Sequence, residues 1–148
     1  MSDLEAQTRA LFEAYGDASN AALHDPAAED FEPIVTAFAP YFVESSPSGV
    51  FGGANDAAFR QMIPKGFARY RAVGGRHMIV THVDVTRLDD LHAIAHVDWD
   101  FGYLNKDGNS GNVRFRNLYF VTIASGEPRI FAYVTPDEET AMKAHGLV

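Results

Sequence analysis

Ala93-Ile94-Ala95-His96-Val97-Asp98-Trp99-Asp100-Phe101-Gly102-Tyr103, Val113-Arg114-Phe115-Arg116-Asn117-Leu118-Tyr119-Phe120-Val121-Thr122-Ile123 and Arg129-Ile130-Phe131-Ala132-Tyr133-Val134 follow one another across short polar connections. Each run carries bulky apolar residues at every second position, the period of an antiparallel strand with one face committed to a core. The glycine-containing segments 105–112 and 125–127 between them have the composition of hairpin turns. After the last run, Thr135-Pro136-Asp137-Glu138 reads as a helix start, with Thr135 as N-cap, Pro136 at the first helical position and Glu138 completing the cap. Long strands closed off by a helix describe a curved sheet with a covered concave side. Such a side is a pocket.

Working towards the N-terminus, Met78 to Leu88 is a further long strand, turning through Asp89-Asp90 into the first of the three. Before it, Ser2-Asp3-Leu4-Glu5 has capping-box spacing, and Leu4, Leu11, Phe12, Tyr15 and Ala22 recur at helical intervals. This predicts a helix from about Asp3 to Leu23, ended by Asp25-Pro26. A shorter helix is expected from Phe31 to Phe38 between Pro33 and Pro40, then a short strand from Tyr41 to Ser46. Gly52-Gly53 reads as a turn. A third helix from about Asn55 to Ala72 carries Phe59, Ile63, Phe67 and Tyr70 along one side, with Pro64 expected to kink or divide it. The final helix should run from Pro136 to about Ala144 and stop at Gly146. Helices segregated from an antiparallel sheet make an α+β domain, expected to be a single unit over residues 1–148.

The totals narrow the function. The 148 residues carry a net charge of −8 and no basic run, which argues against nucleic acid or an anionic membrane as partner. The absence of cysteine excludes thiol nucleophiles, disulfides and zinc–thiolate sites. The acidic N-terminus lacks the hydrophobic core of a signal peptide, and no run approaches the roughly 18 apolar residues of a membrane span, so a soluble, cytoplasmic protein is expected.

Alternation divides the strands into two faces. The odd face, with Ile79, Val83, Val85, Ala95, Val97, Trp99, Phe101, Tyr119, Val121, Ile130 and Val134, is apolar over its length and is assigned to the interior, carrying His77, Thr81 and Asn117 with it. The assignment assumes a three-residue turn at Asp89-Asp90-Leu91; a two-residue turn would bring His96 and Asp98 inside instead. The even face is charged at His82, Asp84, His96, Asp98, Asp100, Arg114 and Arg116, yet carries Ile94, Leu118, Phe120, Phe131 and Tyr133. Those aromatics suggest a partner subunit, with a covering helix or loop as the alternative. Histidines and aspartates at every second position also suit a divalent ion. Cross-strand pairing with Arg114 and Arg116 explains them without one, and no metal site is assigned. Asp107-Gly108-Asn109-Ser110-Gly111-Asn112 has Gly111 and Leu118 where a calcium loop needs ligands, so it reads as a turn.

The order of elements resembles the nuclear-transport-factor-2-like (NTF2-like) superfamily, and within it the SnoaL-like group that includes ketosteroid isomerase and scytalone dehydratase. Two segments carry the likeness: Arg76-His77-Met78-Ile79-Val80-Thr81 leading through Asp89-Asp90 to Ala93, and Pro128-Arg129-Ile130-Phe131-Ala132-Tyr133-Val134-Thr135. The resemblance implies a cone-shaped curved sheet covered by the N-terminal helices, with a short C-terminal helix, and an assembly that is commonly a homodimer. It implies no single chemistry, since such folds serve isomerases, dehydratases, cyclases and non-catalytic proteins.

By the same resemblance, Tyr15 partly matches a pocket tyrosine whose hydroxyl polarises a substrate oxygen; the alternative is a core tyrosine with a satisfied hydroxyl. His77 matches a histidine that faces substrate, and it titrates near neutrality; the alternative is a structural hydrogen bond at a strand start. Ser45 or Ser46 stands where the isomerase carries its catalytic aspartate, a departure from that enzyme's pattern. Glu44 would serve as a base only with its side chain turned inward. Asn117, buried in an apolar face, either grips a ligand or ties strands together. Trp99, Phe101, Tyr119, Thr81 and Phe59 are the remaining expected pocket residues. The sequence thus points to a cofactor-independent isomerase, dehydratase or cyclase acting on a small apolar cyclic molecule, with a non-catalytic ligand-binding or dimeric interaction domain as the alternative.

Overall fold

The computed structural model describes residues 3–25 and 30–148; the cap expected of Ser2 and the break expected at Pro26 lie outside the described residues. Elements run in the order α1 (Asp3–His24), α2 (Glu32–Val35), β1 (Phe38–Ser46), β2 (Gly49–Ala54), α3 (Ala57–Ala72), β3 (Gly75–Arg87), β4 (His92–Leu104), β5 (Ser110–Thr122), β6 (Arg129–Val134) and α4 (Glu138–Ala144). The α+β architecture is as expected. The six strands form one sheet in the order β2-β1-β6-β5-β4-β3, and β1 runs parallel to β6. The sheet is therefore mixed, not purely antiparallel.

Several boundaries differ from those read in the sequence. The second helix is a single turn, because the chain becomes a strand already at Phe38. Gly52-Gly53 lies inside β2; the turn is at Pro47-Ser48, with Gly49 at a φ of 129°. The helix α3 continues through Pro64. Thr135 lies two residues before the N-cap of α4 and still extends the sheet, its N–H donating to the Ser45 carbonyl at 2.9 Å. Asp137 caps the helix instead, its carboxylate accepting from the Thr140 N–H at 3.0 Å.

The turn between β3 and β4 has three residues, with Arg87 opposite Ala93 and the Leu88 N–H donating to the His92 carbonyl at 2.9 Å. Val83 and Val85 accordingly face Val97 and Ala95 on the inner side. Further along β3 an extra residue, Thr81, sits between the Val80–Trp99 and His82–Asp98 pairs. This bulge reverses the alternation, so Met78 and Val80 turn inward and His77 and Ile79 turn outward. An equivalent insertion at Phe131 lies between the Val121–Ile130 and Phe120–Ala132 pairs. It brings Tyr133 inward opposite Tyr119 and leaves Val134 outward and 40% exposed. The outward assignment of Tyr133 and the inward assignment of His77, Ile79, Thr81 and Val134 are thus corrected by two bulges.

The core lies between the inner face of the sheet and α1. Phe12 and Leu23 from the helix meet Ala95, Val97, Phe101, Val121 and Ile130, all essentially inaccessible to solvent. The helix approaches β3 so closely that a Cβ on Gly16 would stand 2.8 Å from Val80 Cγ2. Only glycine permits that contact. Met142 and Leu147, from α4 and the segment after it, complete the core at its other end. Among the described residues no helix is long and apolar enough to cross a membrane.

Candidate active site

Strand pairing sets one row of side chains across the inner face. Glu44 on β1 is opposite Tyr133 on β6, Tyr133 is opposite Tyr119 on β5, and Tyr119 is opposite Ala95 on β4. Residues in register on one face are near neighbours. The Tyr133 hydroxyl donates to Glu44 Oε2, and the rings of Tyr133 and Tyr119 stack with centroids 5.9 Å apart. Asn117, one row further on, and Trp99, two rows on, add their polar atoms. Trp99 Nε1 donates to the Tyr119 hydroxyl at 3.2 Å, and Asn117 Nδ2 donates to the same oxygen at 3.0 Å.

These groups line a chamber of about 250 Å3 roofed by Tyr15 and Ser19 of α1 and by Phe67 and Tyr70 of α3. A second cavity of about 700 Å3 lies between α3 and the β1–β2 hairpin. Phe38, Phe42, Phe59 and Ile63 form its walls, with exposed Phe51 and Met62 among its lining residues. Tyr15, Glu44, Phe67, Tyr70 and Tyr133 line both spaces, so the two are adjoining compartments divided by these side chains. The first is lined by polar and apolar groups in nearly equal measure; the second is largely apolar.

Burial governs the protonation of the chamber. It pushes the Tyr119 hydroxyl up to about 12, a rise opposed by the N–H bonds from Asn117 and Trp99. Tyr15 is raised well above the ordinary tyrosine range by desolvation, reinforced by the neighbouring tyrosines 119, 133 and 70. Desolvation also raises Tyr133, followed by its bond to the Glu44 carboxylate, and it raises Tyr70, followed by the nearby Glu138. All four phenols stay neutral near pH 7, as donors. The carboxylates lining the chamber are Glu44 and Glu138.

A tyrosine oxygen has two lone pairs and one proton. On Tyr119 both lone pairs receive N–H donors, which leaves the proton available to an acceptor in the chamber. On Asn117, which is only 8% exposed, Oδ1 is buried without a partner among the described residues. The row therefore holds an uncommitted donor and, among the described residues, an unpartnered buried acceptor next to it, with a carboxylate at its far end. That arrangement can polarise a ligand oxygen and move a proton.

Of the residues expected from the sequence, Tyr15, Asn117, Trp99 and Tyr119 meet in the chamber, and Phe59 lines the adjoining cavity. Phe101 is core, its ring centroid 5.5 Å from that of Tyr70, and lines neither space. Thr81 is an exposed bulge residue whose hydroxyl donates to the Asp98 carbonyl at 3.3 Å. His77 lies across from Gly102 on the opposite face of the sheet, so close that a Cβ on Gly102 would stand 2.0 Å from its imidazole Cε1. It lines neither cavity. From the sequence, Glu44 is a base only if turned inward and Tyr133 belongs to the outer face; in the structure both line the chamber. Phe42 was a readable signal for the first, since alternate residues of β1 share a face and Phe42 is buried.

The outer face carries the charges. Arg116 Nε and Nη2 donate to the two carboxylate oxygens of Asp98 at 2.7 and 3.1 Å, and Asn112 Nδ2 donates to Asp100 at 2.7 Å. Leu118, Phe120, Phe131 and Ile94 stay half-buried there, with the rings of Phe120 and Phe131 6.1 Å apart.

Residues 5–138 match the family model described as NTF2-like protein (DUF6841). No curated protein matches the chain. Among solved structures, an NTF2-like protein with a cystatin-like fold from Novosphingobium aromaticivorans superposes with a TM-score of 0.69 at 14% identity, covering 99% of this chain and 89% of that one. A ketosteroid isomerase-like protein from Erwinia carotovora atroseptica gives 0.65 at 16% identity, covering 92% and 97% respectively. An NTF2-like protein of unknown function from Shewanella oneidensis gives 0.66 at 12% identity, covering 90% and 98%. At these identities the likeness is one of fold.

Proposed function

The chain belongs to the NTF2-like family of the DUF6841 type, and from that premise we propose that its cavity binds a small, largely apolar cyclic ketone and moves a proton on it without a cofactor. The observation that carries this reading is the Tyr119 hydroxyl, which accepts two N–H bonds and so turns its own proton towards the chamber that Glu44 also lines. In the proposed step the Glu44 carboxylate takes a proton from the carbon next to the ligand carbonyl. The C–H electron pair becomes a C=C bond, and the carbonyl oxygen becomes an enolate that accepts from Tyr119. The protonated Glu44 then returns the proton further along the conjugated system, and the carbonyl re-forms. The result is an isomerisation. Tyr133 positions the carboxylate, and the second cavity takes the apolar remainder of the ligand.

A panel of cyclic β,γ-unsaturated ketones tests this by absorbance of the conjugated product. Glu44→Gln should slow the reaction by about 100-fold or more, and Tyr119→Phe by about 100-fold. A second reading is supported by the bond that already holds Glu44: the domain binds its ligand and performs no chemistry. Ketones that bind while neither isomerising nor exchanging their α-protons with deuterium would establish that reading over the first. The outer sheet face, through Leu118, Phe120 and Phe131, pairs with a second copy of the chain. Light scattering should then report a dimer, and Phe120→Glu a monomer.

A further inference from the structure

The orphaned Oδ1 of Asn117 specifies more about the ligand than the tyrosines do. Buried polar atoms are almost always hydrogen-bonded, and leaving one without a partner costs more than an ordinary bond gains. Asn117 is nine-tenths buried on the chamber wall, its amide nitrogen is committed to Tyr119, and among the described residues nothing donates to its oxygen. The missing partner is therefore a donor. Oδ1 has essentially no accessible surface, so that donor reaches it as the chamber side chains yield to a ligand. It then stands close to whatever accepts from Tyr119, since Asn117 Nδ2 and the Tyr119 oxygen are only 3.0 Å apart. A plain ketone has no proton to offer and would leave Oδ1 as it is.

We infer that the ligand of this chamber is a cyclic hydroxyketone, its carbonyl oxygen accepting from Tyr119 and a hydroxyl on the neighbouring carbon donating to Asn117 Oδ1. Adjacent oxygens on a ring carry one acceptor and one donor side by side. The ring and any apolar extension pass Tyr15 and Tyr133 into the larger cavity. This assignment rests on the cavity reading above and narrows it to one substrate class.

Three probes of similar size separate the possibilities: 2-hydroxy-1-indanone, 2-methoxy-1-indanone and 1-indanone. Binding is read by calorimetry and by the fluorescence of Trp99, the only tryptophan of the chain. The hydroxyketone should bind about tenfold more tightly than either comparison ligand, the factor expected of one buried hydrogen bond. In Asn117→Leu, verified as folded by circular dichroism, that preference should fall to about one. The ligand series on the unaltered protein is decisive even if the variant does not fold. Equal binding of the hydroxyketone and 1-indanone would overturn the inference, assigning a water molecule to Oδ1, while leaving ketone binding intact. A preference for hydroxyketone that survives in folded Asn117→Leu would overturn it too, placing the hydroxyl elsewhere. Failure of all three probes to bind would instead remove the cavity reading itself.

Discussion

Asp98 and Trp99 are neighbours on β4 and belong to opposite sides of the molecule. Asp98 faces outward and meets Arg116 across the strand gap in a two-pronged ion pair, both partners substantially in water. Trp99 faces inward, 3% exposed, and makes one neutral hydrogen bond to Tyr119. The outer pair has the greater charge and the shorter distances. It contributes less to stability, because water screens it and would bond each partner equally well if the pair opened. The inner bond is longer and uncharged, but its groups are buried and have no water to replace the partner if the bond breaks. Burial, more than charge, decides which face matters to the fold and to the chemistry.

The comparison breaks most visibly by truncating each neighbour in turn. Trp99→Ala should cost about 3–5 kcal/mol in urea denaturation, from the cavity it leaves and the bond it removes. Asp98→Ala on the same strand should shift the melting temperature by no more than about 2 °C. Equal losses from the two would show that the outer face is buried in an assembly.

A smaller perturbation of the inner face is Tyr119→Phe, which keeps the ring and removes the oxygen. The Trp99 and Asn117 N–H groups then lose their shared acceptor at once, for a cost of about 2 kcal/mol. If Asn117 alone reoriented to serve another partner, the measured loss would fall below about 1 kcal/mol, and the network would be shown to be adaptable.

The outer face has one tight position of its own. Gly102→Ala forces a methyl into the His77 ring, and overpacking of this kind costs about 1–3 kcal/mol. Removing the ring in the double variant with His77→Ala should restore most of the loss. His77→Ala alone should leave ligand binding in the chamber unchanged. A large fall in affinity would mean that the imidazole acts through the sheet.

His77 also shows where the sequence ceases to be legible. On β4 and β5 the alternation runs without a shift, and Ala93, Ala95, Val97, Trp99, Asn117, Tyr119 and Val121 are all buried on the inner side as their pattern predicts. On β3 and β6 one inserted residue, Thr81 or Phe131, reverses the residues beyond it, on β3 as far as His77. Those bulges depend on how the neighbouring strands pair, and neither residue type announces one. The parity error placed His77 inside and Tyr133 outside. Half of the site row was thereby hidden, since Glu44 gains its meaning from Tyr133. The helices were legible to within a few residues, and the cap expected at Thr135 falls two residues early because pairing with a parallel strand, invisible in the sequence, carries the extended chain through that residue.

The subtlest distinction between the faces should appear in the pH dependence of stability. Arg116 bonding, the leading cause, holds the Asp98 carboxyl below its ordinary 3.8, opposed by a little desolvation. A depressed carboxyl contributes stability above its unfolded value and loses it as pH falls through the folded one, so this contribution fades below about pH 3.8. Asp98→Asn should flatten that acid limb slightly and leave the alkaline limb untouched. Tyr119 behaves in the opposite sense. Its hydroxyl rises from 10.0 to about 12, so the neutral buried form contributes fully below pH 10 and the contribution is lost as pH climbs towards 12. Tyr119→Phe should flatten the alkaline limb, only in part because Tyr15, Tyr70 and Tyr133 are raised as well. Denaturation midpoints from pH 2.5 to 11.5 for the parent and both variants would resolve the two limbs. A change on the same limb in both variants would show that the faces are coupled through the strand between them.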